Sequence, residues 1–352
     1  MANTYDAILF VSFGGPEGPD DVMPFLENVL RGRNVPRERM LEVAEHYQHF
    51  DGVSPINAQN RELIAELEKA LVERGPNLPI YFGNRNWHPM MADTMQKMAD
   101  DGIKRALAVV TSGFSCYSGC RQYRENIYAA QDIVGENAPV VDKMRVWYNH
   151  PGFVETMAVR VREAIGRLSA DGQADPHLIF TAHSIPQGMA DNSRYEVQLK
   201  ESSRLVAEAL GSENWTLVYQ SRSGAPHHPW LEPDVCDYIQ SLSGSQPTEG
   251  NSQQTKVAKH VVVIPIGFIS DHMEVMFDLD TEAKELCEEL GIEMTRAATV
   301  GTHPDFVEAL RLMIEERCVE NPDRLALGDM GPSHDVCPED CCLSGRPARP
   351  AR

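Results

Sequence analysis

Eight short apolar runs, rich in β-branched residues, punctuate the chain: Ala7–Phe13, Pro79–Gly83, Arg105–Thr111, Val140–Val146, His177–His183, Trp215–Tyr219, His260–Ile266 and Ile292–Ala297. Runs this short with little polar alternation predict strands buried on both faces. The segments between them change period. From Asn57 to Glu73, Leu63, Ile64, Leu67, Ala70 and Leu71 fall on one helical stripe, with Asn57 placed to cap the start and Gly75-Pro76 to end it. Val154 to Leu168 and Phe306 to Arg317 read the same way. Strands alternating with helices predict an α/β fold with parallel sheets covered on both faces. Ser241 to Lys256 is polar and of low complexity and reads as a flexible surface loop.

The chain also echoes itself. LFVSFGGP from Leu9 resembles IFTAHSIP from Ile179, YFGNRNWHP from Tyr81 resembles YQSRSGAP from Tyr219, and AVVTSGFS from Ala108 resembles VIPIGFIS from Val263. The three echoes keep their order, which predicts two similar α/β lobes facing each other across a cleft. In that overlay Phe13 is equivalent to His183.

Candidate chemistry gathers at predicted strand ends, where open α/β sheets bind ligands. After Val261–Ile264 comes an acidic stretch with Asp271, Glu274, Asp278 and Asp280. In an α-helix Glu274, Asp278 and Glu282 would form one row, and carboxylates so placed repel. Such a row beside a buried strand suits a cation or a proton path, although a solvated helix face gives the same pattern. His183 closes a buried-looking strand before Ser184-Ile185-Pro186. An imidazole there is placed to act as base or ligand, and with Glu274 it makes a nitrogen-plus-oxygen site suited to ferrous iron. Gly14-Gly15-Pro16 lacks the spacing of a dinucleotide fingerprint or a P-loop and reads as a tight turn under a flat ligand. Arg31, with Arg33, Arg37 and Arg39, is a basic cluster able to fork onto carboxylates. Tyr123 offers a phenolic hydrogen bond.

Composition narrows the function. The 352 residues carry a net charge of −20, which argues against a nucleic-acid partner. No apolar run is long enough to span a membrane and the first residues are unlike a signal peptide, so a cytoplasmic protein is expected. Three of the eight cysteines, Cys337, Cys341 and Cys342, lie within six residues near the C-terminus, a spacing that suggests metal ligation rather than packing.

Six segments taken together, SFGGPEGP, GVSPIN, YFGNRNWHP, TAHSIP, QSRSGAPHHPWLEP and PIGFISDHMEVMFDLD, resemble in order the signature segments of ferrochelatases. Within that family the chain most resembles the bacterial coproporphyrin ferrochelatases of the actinobacterial type. The resemblance implies two Rossmann-like lobes, 1–147 and 148–318, around a porphyrin cleft, followed by a cysteine-bearing tail, 319–352. It implies insertion of Fe2+ into a porphyrin, giving coproheme from coproporphyrin III. Protoporphyrin IX is the alternative substrate, and a cobalt chelatase or a non-catalytic haem- or metal-binding protein are more distant readings. By the same resemblance His183 and Glu274 are the iron-site pair with Asp278 behind them, Ser54 and Tyr123 contact the porphyrin, and Arg31 and Tyr47 lie on its rim. Phe13 stands where many relatives carry tyrosine or methionine below the metal, and it cannot ligate iron. Trp87 and Trp230 could wall the macrocycle or fill the core. Cys116 matches the distant ligand of relatives with a [2Fe–2S] cluster, to be completed by Cys337, Cys341 and Cys342; Cys120 is the runner-up and zinc the alternative occupant. Oligomeric state is not encoded legibly.

Overall fold

The computed structural model describes residues 4–32, 35–224, 227–244 and 258–345. All eight predicted strands form: β1 Ala7–Ser12, β2 Ile80–Asn84, β3 Arg105–Val110, β4 Val140–Lys143, β5 His177–His183, β6 Trp215–Gln220, β7 His260–Ile264 and β8 Glu293–Arg296. They build two four-stranded parallel sheets with the same order, β2-β1-β3-β4 and β6-β5-β7-β8. Every residue of β1 is buried, as are the first six of β5, because helices cover both faces of a parallel sheet.

The internal echoes mark equivalent strands. Leu9 pairs with Ala108 in the first sheet as Ile179 pairs with Val263 in the second, so the first and third echoes share a register. The second does not: Tyr81 lies opposite Leu9, whereas Tyr219 lies opposite Ala182. β2 and β6 are edge strands, paired on one side only.

In the first lobe the helices are α1 Pro19–Val29, α2 Arg37–Gln48, α3 Ile56–Arg74, α4 Met91–Asp100 and α5 Gln122–Val134, and α6 Pro151–Ile165 leads into the second. α3 is the expected stripe, with Leu63, Leu67, Ala70 and Leu71 buried. Its start differs. Pro55 occupies the cap position without a side-chain cap, and Asn57 lies inside the helix, donating to the carbonyls of Gly15 and His88 at 3.2 Å each. The low-complexity stretch predicted as a loop falls from Ser245 to Lys256 outside the described residues.

Side chains join the lobes at several points. Gln198 accepts from the Ser115 amide at 2.7 Å and donates to its hydroxyl at 3.1 Å. Gln59 of α3 accepts from the Asp271 amide at 2.8 Å. His46 of α2 stacks on Phe277, with ring centroids 3.7 Å apart and planes 10° from parallel.

Candidate active site

The loops at the carboxyl ends of the parallel strands carry the candidate chemistry. β5 ends on His183, and the chain leaving β7 turns into a short helix, Met273–Phe277, that presents Glu274. His183 Nε2 lies 3.5 Å from Glu274 Oε1. The other imidazole nitrogen, Nδ1, donates to the Ser184 carbonyl, which leaves Nε2 for the carboxylate. Tyr195 Oη donates to the His183 carbonyl at 3.0 Å, fixing the strand end. About a third of the His183 side chain and two fifths of the Glu274 side chain remain accessible, so a ligand can reach both.

The pair is strongly polarised. Burial disfavours the charged imidazole, but the adjoining Glu274 carboxylate outweighs it and raises the His183 pKa to about 9. Burial likewise works against the Glu274 anion, and His183 overrides it, lowering the carboxyl to about 2. His272 stands on the far side of Glu274, Nε2 to Oε2 3.9 Å. Burial lowers its pKa.

The expected α-helical row of acids is only half formed. After Phe277 the chain widens into a π-helical turn, Asp278–Ala283, which breaks the four-residue stacking of Glu274, Asp278 and Glu282. Such turns occur often at functional sites. Asp278 turns to the second sheet, accepting from the Ser221 hydroxyl and from Gln220 Nε2 at 3.3 Å. The same Gln220 amide also donates to the Glu274 carbonyl at 2.9 Å. Burial is the main reason the Asp278 pKa rises to about 7, helped by Glu274 and Glu282. Two neighbouring carboxylates therefore differ: Glu274 stays ionised at neutral pH and Asp278 exchanges its proton there.

The first lobe supplies an aromatic wall. Phe13 packs edge-on to Phe25 at 6.3 Å, and Phe25 meets both Tyr47 at 5.9 Å and Trp87 at 6.1 Å. Tyr47 is close enough to Glu274 that the carboxylate, added to burial, raises its phenol pKa. The Arg85 guanidinium lies 5.6 Å from the ring centres of both Phe13 and Tyr123. Tyr123 itself is buried, its pKa raised to about 12 mainly by that burial. Ser54 is buried against the glycine turn: a Cβ on Gly15 would come within 2.7 Å of Ser54 Cβ, so only glycine lets the backbone pass. Gly14 has φ +81, where side chains are strained. Arg31 is exposed at the end of α1. Trp230 bridges through its backbone to Pro186, just past His183.

The tail thiols meet one cysteine of the first lobe. Cys120, not Cys116, faces the tail: its sulfur is in hydrogen-bond reach of Cys337 and Cys342, which lower its pKa while theirs rise. Cys341 Sγ lies 3.4 Å from Cys342 Sγ and 3.9 Å from His334 Nε2. Cys116 opens the π-helical turn Tyr117–Arg121 and its sulfur accepts from the Gly119 amide at 3.2 Å. Cys120, four residues on and also buried, is the one in reach of the tail sulfurs. The adjacent tail cysteines need a sharp turn, and Cys342 adopts φ +56, a costly conformation for a side-chain-bearing residue. Arg121 and Arg124 hold this segment through the carbonyls of Cys341 at 3.1 Å and Cys337 at 3.4 Å.

Tyr195, Gln220, Ser221 and Arg85 escaped the sequence reading. Each acts through partners distant in the chain, and only His272, two residues before Glu274, left a legible local signal.

Two parallel-sheet lobes whose strand ends bring an imidazole to a carboxylate beside an aromatic wall define a chelatase architecture. Comparison with solved structures agrees: SirB from Bacillus subtilis with Fe3+ superimposes with a TM-score of 0.54, 11% identity, and coverage of 90% of this chain and 96% of that one. At that identity the likeness concerns the fold alone. The family model described as Ferrochelatase matches residues 5–318, and the chain belongs to the ferrochelatase family. It is 60% identical to a "Ferrochelatase" of Rhodopirellula baltica, covering 98% of this chain and 95% of the relative. It is 47% identical to a "Coproporphyrin III ferrochelatase" of Streptomyces coelicolor, covering 99% and 96%. A third relative, the "Coproporphyrin III ferrochelatase" of Nocardia farcinica, is 47% identical with 98% of each chain covered.

Proposed function

We propose that this protein inserts ferrous iron into coproporphyrin III, with His183 and Glu274 as the iron-site pair. The observation that carries the reading is the 3.5 Å approach of His183 to Glu274 at the strand ends of a ferrochelatase fold. The site must receive a dication, remove its water and take two pyrrole protons. An anionic Glu274 attracts the ion, and the imidazole accepts a proton once the ion displaces the one it shares with Glu274. Asp278, poised near neutral pH, suits onward proton transfer. The wall of Phe13, Tyr47 and Trp87 supports a flat ring, with Ser54, Tyr123 and Arg31 at its edge; binding energy there can offset the cost of bending the macrocycle. Phe13 cannot ligate iron from below.

The choice of coproporphyrin rests on the names of the Streptomyces and Nocardia relatives. Lobes of 1–147 and 148–318 and a tail of 319–352 remain our division of the chain. A cytoplasmic site of action fits eight free cysteines. No described helix is long and apolar enough to cross a membrane.

The donor set of the tail also fits a metal centre. We assign Cys120, Cys337, Cys341 and Cys342 as holders of a [2Fe–2S] unit, which takes four thiolates and passes one electron. Support comes from the convergence of the four sulfurs and from the φ +56 of Cys342, a strain that persists where the surroundings over-determine it. His334 beside Cys341 would equally complete a zinc site.

The deciding experiment offers coproporphyrin III and protoporphyrin IX with ferrous iron under anaerobic conditions. Coproporphyrin should be metallated at least about tenfold faster, and Glu274→Gln should lower kcat/KM by about 100-fold or more. Equal rates would remove the substrate assignment, and an unimpaired Glu274→Gln would remove the site.

A further inference from the structure

Arg296 ends β8, a strand with no candidate for the chemistry. Its guanidinium nevertheless holds both ends of the acidic segment. Nε and Nη2 fork onto the two Asp280 oxygens at 2.6 and 2.9 Å, and Nη1 reaches Asp271 Oδ1 at 2.8 Å and the Ala297 carbonyl at 3.1 Å. Asp271 stands three residues before Glu274 and Asp280 two after Asp278, so the two anchors bracket both carboxylates. The Arg296 carbonyl is itself held by Arg167 Nη2 at 2.6 Å. On the other side, the Asp271 amide donates to Gln59 in α3, one turn beyond the Ser54 loop of the opposite lobe.

The segment needs such a hold. Glu274 sits in the first turn of a helical run over 273–290 that the π-helical turn Asp278–Ala283 widens, where backbone amides lack intrahelical partners, and its charge opposes the ionisation of Asp278. Arg296 adds to the hold that Gln220 has on the Glu274 carbonyl in placing that turn against β5, which carries His183. An arginine forked onto one carboxylate and reaching a second fixes direction as well as distance, which a lysine cannot do. We propose that Arg296 is a positioning residue for metal insertion: by pinning Asp271 and Asp280 it sets the separation of Glu274 from His183, with Gln59 registering that segment against the porphyrin-facing lobe. The inference rests on the iron-site reading above.

Its test uses the full chain carrying Arg296→Gln, Arg296→Lys or Asp280→Asn, with thermal unfolding, porphyrin Kd by fluorescence quenching, and KM for ferrous iron measured on each. Arg296→Gln should raise the iron KM or lower kcat/KM for iron by about 10- to 100-fold, as small misplacements of reacting groups do, while porphyrin Kd stays within about twofold. Arg296→Lys should recover part of the loss, and Asp280→Asn should give about a threefold rise in iron KM. Unchanged iron parameters in Arg296→Gln, a parallel loss of iron and porphyrin binding, or no rescue by lysine would overturn the proposal. Should Arg296→Gln not fold, Asp280→Asn with an unaltered iron KM overturns it alone. Failure of the parent chain to insert iron would instead sink the iron-site reading, a result visible before any variant is made.

Discussion

His183 and Glu274 shift each other in opposite directions, and the signs give a pH prediction. The raised imidazole pKa, from 6.5 to about 9, contributes stability that is complete below pH 6.5 and is lost as pH rises through 9. The depressed carboxyl, from 4.5 to about 2, contributes stability that is complete above pH 4.5 and is lost as pH falls through 2. Their shared ion pair therefore contributes fully between pH 4.5 and 6.5. In the reaction proposed above the order reverses, because iron arriving at this pair displaces the imidazole proton. kcat/KM for iron should rise about tenfold per pH unit below 9 and level near it. In Glu274→Gln the limb should move to lower pH even as the rate falls, since the group that holds the proton is gone. A pH-rate profile of both proteins checks this, and an unmoved limb would assign the titration elsewhere.

At the scale of elements, the glycine turn after β1 and the π-helical turn after Phe277 do comparable work: each bends the chain where a regular element would misplace a side chain. Gly15→Ala makes the first case measurable. Its Cβ would press on Ser54 and on Ile56 Cγ2, 2.8 Å away, an overpacking worth about 1–3 kcal/mol. The thermal midpoint should fall, and porphyrin Kd by fluorescence should rise by about fivefold or more because Ser54 must move. A loss of stability with unchanged porphyrin affinity would detach Ser54 from the ring edge. The π-helical turn was invisible beforehand. The spacing of Glu274, Asp278 and Glu282 fits an α-helix, whereas Gln220 and Ser221 hold Asp278 at the start of the widened turn.

Across the whole molecule the tail acts as a strap. It leaves the C-terminal helix Pro304–Cys318, donates from the Leu327 amide to the Asn149 carbonyl at 2.8 Å, and reaches Cys120 at the start of α5 in the first lobe. Asn149 Nδ2 in turn donates to Leu327 and Gly331 carbonyls at 3.0 Å each. Beneath it Arg145 and Glu316 form a buried ion pair at 2.9 Å. Pairs of this kind add little net stability, because desolvation offsets their attraction. The proposed metal centre predicts that Cys120→Ser weakens metal retention by about tenfold or more, with loss of visible absorption, and that Cys116→Ser retains both. Metal analysis with absorption spectra of the two proteins decides it; the opposite result would restore Cys116 as the ligand.

Much was legible in the chain alone. Strand and helix positions follow from local periodicity, since burial on both faces or on one stripe imposes its own spacing of apolar residues. The two similar lobes showed in the echoes, and His183, Glu274 and the tail thiols stood out as candidates at strand ends or at close spacing. Tertiary structure decided the rest: the register of the edge strands, the approach of Cys120 to the tail thiols, the π-helical turn, and the hold of Arg296 on Asp271 and Asp280. These depend on which surfaces meet after packing. Such contacts join residues tens to hundreds of positions apart, and no local spacing encodes them.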